Sequence, residues 1–169
     1  REGNPAFPNA RYVMWKEEWD FWTKNPDLSS MQADEHIKQL LLTSARNNLP
    51  PIKEQIDLIE EEIEIAPGIH AVATPGHTPG HMAVAVSSGD DYLLYLSDTI
   101  IHPLHLEQSG WYSVFDLAPE QALASKRQIL DWAVTENALV HVFHFPWPGL
   151  GHIIQKGDAW QWQPISVRN

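Results

Sequence analysis

Two histidines share one tight loop, Thr74-Pro75-Gly76-His77-Thr78-Pro79-Gly80-His81. An apolar run, Ile69 to Ala73, precedes it, and another, Met82 to Val86, follows it. The spacing predicts a strand that ends, turns twice on Pro-Gly and restarts. A histidine on a turn braced by proline and glycine has little freedom, and a metal ligand benefits from that fixity. Ser97-Asp98-Thr99 closes a second apolar run, Tyr92 to Leu96. His144 follows a third, Ala138 to Phe143, and opens the segment His144-Phe145-Pro146-Trp147-Pro148-Gly149-Leu150-Gly151-His152. Three strand ends thus deliver His77, Asp98 and His144, and open α/β sheets place their sites at strand carboxyl ends. Imidazole and carboxylate suit zinc, iron or manganese. Asp98 can bridge two cations, one on each oxygen. A hydroxide held between them is a strong nucleophile near neutral pH, so no side-chain nucleophile is required.

Each residue also has an ordinary reading. His77 can be a turn histidine bonded to backbone, Asp98 an Asx-turn or helix-cap aspartate, and His144 a satisfied core histidine. His152 reads as structural more readily than as a substrate contact. His102 and His105 follow Asp98 closely enough for either to face the site. Trp111, Tyr112, Phe115 and Trp147 can form an apolar wall for a substrate group, or simply pack in the core. His36, His70 and His141 carry no functional claim.

The elements that must position these residues alternate between strand and helix, which makes the class α/β. Met14 to Lys24 predicts a short amphipathic helix with Trp15, Trp19 and Trp22 on one face. Ser29 is the expected cap of a second helix, about Met31 to Arg46. Ile63 to Ile65, Ile69 to Ala73, His81 to Ser87 and Tyr92 to Leu96 predict strands, with a turn at Gly89-Asp90. Pro119 starts a helix that reaches about Glu136. Ala138 to Phe143 is a buried strand, and His152 to Gln155 with Asp158 to Gln163 forms a closing hairpin around Gly157.

The 169 residues, 43% of them apolar, suit one domain. A net charge of −11, from 11 basic and 22 acidic residues, argues against nucleic acid as partner. With no cysteine, disulfides and thiolate metal sites are excluded. No run is long and apolar enough for a membrane span. Arg1 to Pro5 shows no signal-peptide core, which makes a cytoplasmic location the expectation. The apolar edge elements suggest a homodimer.

TPGHTPGH, then Ser97-Asp98-Thr99, then His144-Phe145-Pro146-Trp147-Pro148-Gly149-Leu150-Gly151-His152 resembles the metallo-β-lactamase superfamily, in particular its methyl parathion hydrolase-like and lactonase-like branch. The resemblance covers roughly Ala6 to Ile165. It implies an αββα sandwich with a dinuclear site at one edge, two zinc ions or else manganese or iron. It implies that His77 holds the first metal, Asp98 bridges both and acts in catalysis, and His144 holds the second. His81 is then a buried structural residue. The family's principal metal motif, H-x-H-x-D-H, is absent. The chain therefore resembles the C-terminal portion of a single domain, 1–169, whose N-terminal part is missing.

The expected function is a metal-dependent hydrolase using a metal-held hydroxide on a small ester-like substrate: a lactone, thioester, phosphoester or β-lactam. The chain alone is expected to bind metal weakly and hydrolyse poorly. The expected substrate contacts are His102, Trp111, Trp147 and His152. Two rivals remain. One is a mononuclear iron oxidoreductase built on two histidines and one carboxylate. The other is a non-catalytic binding module on the same fold.

Overall fold

A computed structural model describes residues 5–166; the first four and last three lie outside it. Strand β1 (Tyr12–Trp15) leads directly into helix α1 (Lys16–Thr23), and helix α2 (Glu35–Asn48) follows. A 3-10 turn over Pro50–Gln55 feeds β2 (Ile56–Ile59) and β3 (Glu64–Ala66). Then come β4 (Ile69–Ala73), β5 (Met82–Ser88), β6 (Asp91–Tyr95), the short α3 (Leu104–Glu107) and the long α4 (Pro119–Thr135). Strands β7 (Leu139–His141), β8 (Leu150–Lys156) and β9 (Ala159–Pro164) finish the chain.

Strands β3 to β9 form one seven-stranded sheet in sequence order. Neighbours are antiparallel except β6 and β7, which run parallel because α4 carries the chain back across the sheet. Two antiparallel steps separate β4 from β6, so β4, β6 and β7 all point the same way. Their carboxyl ends therefore lie along one edge, and the loops bearing His77, Asp98 and His144 leave from that edge.

One face of the sheet packs on α4. Val72, Ala83, Ala85, Leu94, Val140 and Ile153 meet Ile129, Leu130 and Ala133 of the helix in the main core. The alternate residues Val84, Val86, Leu93, Tyr95 and Leu139 form the opposite face and are only half-buried. A second, two-stranded sheet of parallel β1 and β2 covers one end of that face, packing Trp15 and Ile59 on Ala71, Ala73 and Met82. The result is the expected mixed α/β layering. No helix among the described residues is long and apolar enough to cross a membrane.

Two helix boundaries differ from the sequence expectation. Trp15 closes β1 and is buried instead of opening a helix, because Tyr12 to Trp15 find strand partners at Ile56 to Ile59. Helix α2 begins after Asp34, whose carboxylate accepts the His36 N–H, not after Ser29. Tertiary contacts hold the preceding residues extended: Leu28 and Met31 are buried, Gln32 N–H bonds the Val114 carbonyl and Ser30 Oγ bonds that of Leu117.

Gly76 shows how tightly the edge is built. Its φ is +130°, and a Cβ there would stand 2.2 Å from the Ala122 nitrogen of α4. Gly76→Ala should therefore lower stability by at least ~1–3 kcal/mol through strain alone, read as a drop in the urea midpoint. Gly89→Ala is the control. Its φ is +62° but a Cβ would meet nothing within 4 Å, so the loss should stay near ~1 kcal/mol.

Candidate functional site

The loop after β4 is fixed from several sides. Thr74 N–H bonds the His81 carbonyl across the loop mouth at 2.9 Å, and Gly76 N–H bonds the Thr78 carbonyl. Glu18 of α1 accepts the Gly80 N–H at 2.9 Å while its other oxygen takes the Trp22 indole. Ser125 of α4 donates to the Pro75 carbonyl at 2.6 Å. The two histidines on this loop then take opposite roles.

His81 is buried, and its Nε2 accepts the backbone N–H of Asp98 at 3.1 Å. That ring nitrogen must be unprotonated, so the proton sits on Nδ1, which donates to the Thr74 carbonyl at 2.9 Å. Burial, with the His77 ring beside it, pushes the His81 imidazole below its ordinary value. Both ring nitrogens are occupied, which makes His81 a brace for the Asp98 backbone, as the resemblance implied.

His77 is the converse. Its Nδ1 lies 2.9 Å from Oδ1 of Asp116, a buried carboxylate. A carboxylate accepts, so Nδ1 carries the proton and Nε2 keeps a free lone pair. This is the arrangement in which a second carboxylate orients a metal-binding imidazole. The other Asp116 oxygen accepts the Ser113 N–H at 2.7 Å. Leu117 N–H and Ala118 N–H bond the carbonyls of His77 and Gly76, sewing the two loops together.

Asp98 and His144 meet directly, Nε2 to Oδ1 at 2.9 Å, with both side chains partly exposed. His77 lies one ring away: it packs edge-on to His81 at 5.5 Å between centroids, and His81 holds Asp98. Among the described residues no three His, Asp or Glu side chains converge into a cage for one metal ion. Asp98 and His144 stand close enough to share one cation once the proton between them is displaced, and His77 offers a free nitrogen. That donor set fits zinc, iron or manganese as part of a larger site.

The other expected contacts separate. Trp111 does line the cavity beside Asp98, with Tyr112, Asp116 and Lys126. His102 does not: it is exposed and its Nδ1 accepts the Leu104 N–H at the start of α3, while His105 faces the cavity. His152 sits on β8 beside Leu139 and lines a groove with Leu93 and Asp91, at the opposite end of the strands from Asp98. Trp147 is 91% exposed on the loop after β7. Phe143, not singled out in the sequence, packs on the His144 ring at 3.9 Å. Asp116 was also missed; an acid on an aperiodic stretch carries no sequence signal for a partner 39 positions away.

No family model matches the chain. Among solved structures it superposes on AidC, a dizinc quorum-quenching lactonase, with a TM-score of 0.89 and 27% identity, covering 100% of this chain and 59% of that one. It also superposes on AbOPH, a hydrolase of the β-lactamase superfamily, with a TM-score of 0.80 and 20% identity over 100% and 60% of the two chains. The chain shares its fold with these two hydrolases, in line with the resemblance its motifs carry. Curated relatives include N-acyl homoserine lactonase AiiA of Bacillus thuringiensis subsp. kurstaki, 24% identical over 143 residues. An N-acyl homoserine lactonase of Bacillus cereus is 25% identical over the same length. These matches take in 84% of this chain but 50% of each relative, so the chain spans about half the length of the lactonases it resembles.

The His81 brace makes stability depend on pH. Its folded pKa lies below the unfolded value of 6.5, so the unfolded chain takes up the proton first as pH falls. Stability should therefore drop as pH is lowered from 6.5 towards the folded value. The urea midpoint should show this decline, and His81→Gln should flatten it in that interval.

Proposed function

We propose that this chain carries one half of the metal site of a lactone-opening hydrolase, with N-acyl homoserine lactones as the substrate class. One observation supports the reading above the others: Asp116 frees Nε2 of His77 at the same sheet edge where His144 meets Asp98. The likeness to lactonases supplies the substrate class. His77, Asp98 and His144 would be the ligands, with Asp98 in the bridging place, and zinc the metal ahead of manganese or iron. When bound, zinc supplies a Lewis acid that polarises an ester carbonyl and makes water acidic near neutral pH.

The chain's own residues hold and shield that centre. His81 fixes the Asp98 backbone, and Asp116 holds the His77 proton on Nδ1. Phe143 covers one side of His144, while Trp111 and Tyr112 line the cavity next to Asp98. The pocket itself holds only about 10 Å³, so the apolar part of a substrate would rest on the exposed faces of Trp111 and Tyr112. The remaining ligands of a dinuclear pair would come from residues outside these 169, and the chain alone would bind zinc weakly.

The test is ring opening of N-hexanoyl-homoserine lactone by the natural full-length protein loaded with zinc, followed as acid release. Asp98→Asn and His77→Ala should each lower kcat/KM by on the order of 100-fold or more. A zinc-loaded, folded protein that opens no lactone would sink the proposal. Stoichiometric iron with no zinc affinity would favour the oxidoreductase reading instead.

A further inference from the structure

Helix α4 carries an unusual pair of adjacent residues. Ser125 and Lys126 are both buried, Lys126 to 2% exposure. Ser125 holds the loop after β4 through the Pro75 carbonyl. Lys126 holds the other loop: its Nζ donates to the Trp111 carbonyl at 2.7 Å and to the His105 carbonyl at 3.3 Å. Among the described residues no carboxylate forms an ion pair with it. Burying an ammonium on two neutral carbonyls is costly, and burial pushes its pKa down to about 8, with Asp116 opposing the shift and Arg127 adding to it. The neutral amine still has two N–H groups for the two carbonyls, so the contact survives deprotonation.

The two loops gripped by neighbouring residues of one helix are the two that meet at His77 and Asp116. From Trp111 the chain runs to Ser113, whose N–H binds Asp116 and whose Oγ accepts the Phe115 N–H. We propose that Lys126 is a positioning residue for His77: by tying the 105–111 segment to α4 it sets where Asp116 stands, and Asp116 sets the His77 tautomer. The proposal rests on His77 being a metal ligand, as proposed above, but its first readout needs no metal.

In the metal-free protein, two-bond 1H–15N spectra report which ring nitrogen of His77 is protonated. Wild type should show Nδ1–H. Asp116→Asn and Lys126→Met should both give a mixture of tautomers, with the fold retained by circular dichroism. Zinc affinity, from competition with a chromophoric chelator, should fall about 10–100-fold in each variant. The double variant should be no weaker than Asp116→Asn alone, because Lys126 acts through Asp116. A purely structural lysine would leave the His77 tautomer unchanged, or its effect on affinity would add to that of Asp116→Asn; either result overturns the inference. Should Lys126→Met fail to fold, Lys126→Gln, whose shorter amide reaches one carbonyl at most, is read the same way. His77→Ala separates the two claims. Unchanged zinc affinity there defeats the metal reading, whereas a loss there with a normal Lys126→Met defeats only the role given to Lys126.

Discussion

A neutral imidazole has one lone pair to give, and the site depends on how two rings on one loop are made to spend theirs differently. Asp98 takes that of His81 with its backbone N–H. Asp116 takes the proton of His77 and so leaves its lone pair free. The rings pack against each other at 5.5 Å, yet one becomes a brace and the other keeps a nitrogen open. Neither outcome is a property of histidine in a Pro-Gly turn. Each follows from the group that the fold brings to Nδ1 or Nε2.

The cost of this arrangement is concentrated in one place. The buried polar side chains among the described residues are Thr74, His81, Ser113, Asp116, Ser125 and Lys126. All six belong to the loop after β4, the 113–116 turn, or the stretch of α4 that grips both. A buried polar group is unfavourable unless it is hydrogen-bonded, and each of these has a partner at 2.6–3.3 Å. Elsewhere the helix–sheet core is apolar, from Leu94 to Leu130 to Val140. The polar network can hold precise geometry because that core fixes the helix beneath it.

The surroundings of the site are apolar on both sides. Phe143 packs on His144, and Trp111 and Tyr112 flank Asp98 while remaining about half exposed. Beneath them the outer face of the sheet stays half-buried beyond the reach of β1 and β2. Such a face is suited to packing against a further layer of secondary structure.

The strands around His77, Asp98 and His144 could be read from the sequence because each is a short apolar run stopped by Pro, Gly or a polar triplet, and these are local signals. Helix α4 was legible for the same reason: Pro119 opens it and its apolar residues recur at helical spacing. The parallel pair β1–β2 was not, since four residues pairing with four others 44 positions away leave no local trace. Nor was the true start of α2, because Gln32 and Ser30 are drawn to the 114–117 turn by contacts far along the chain. By itself, then, the sequence determined which residues stand at strand ends and that imidazole and carboxylate are the groups gathered there. Only the tertiary structure decided that His105 and not His102 faces the cavity, that His152 lies at the far end of the strands, and that Asp116, Lys126 and Phe143 support the site. Those choices depend on the direction of each side chain and on partners distant in sequence, and spacing along the chain carries neither.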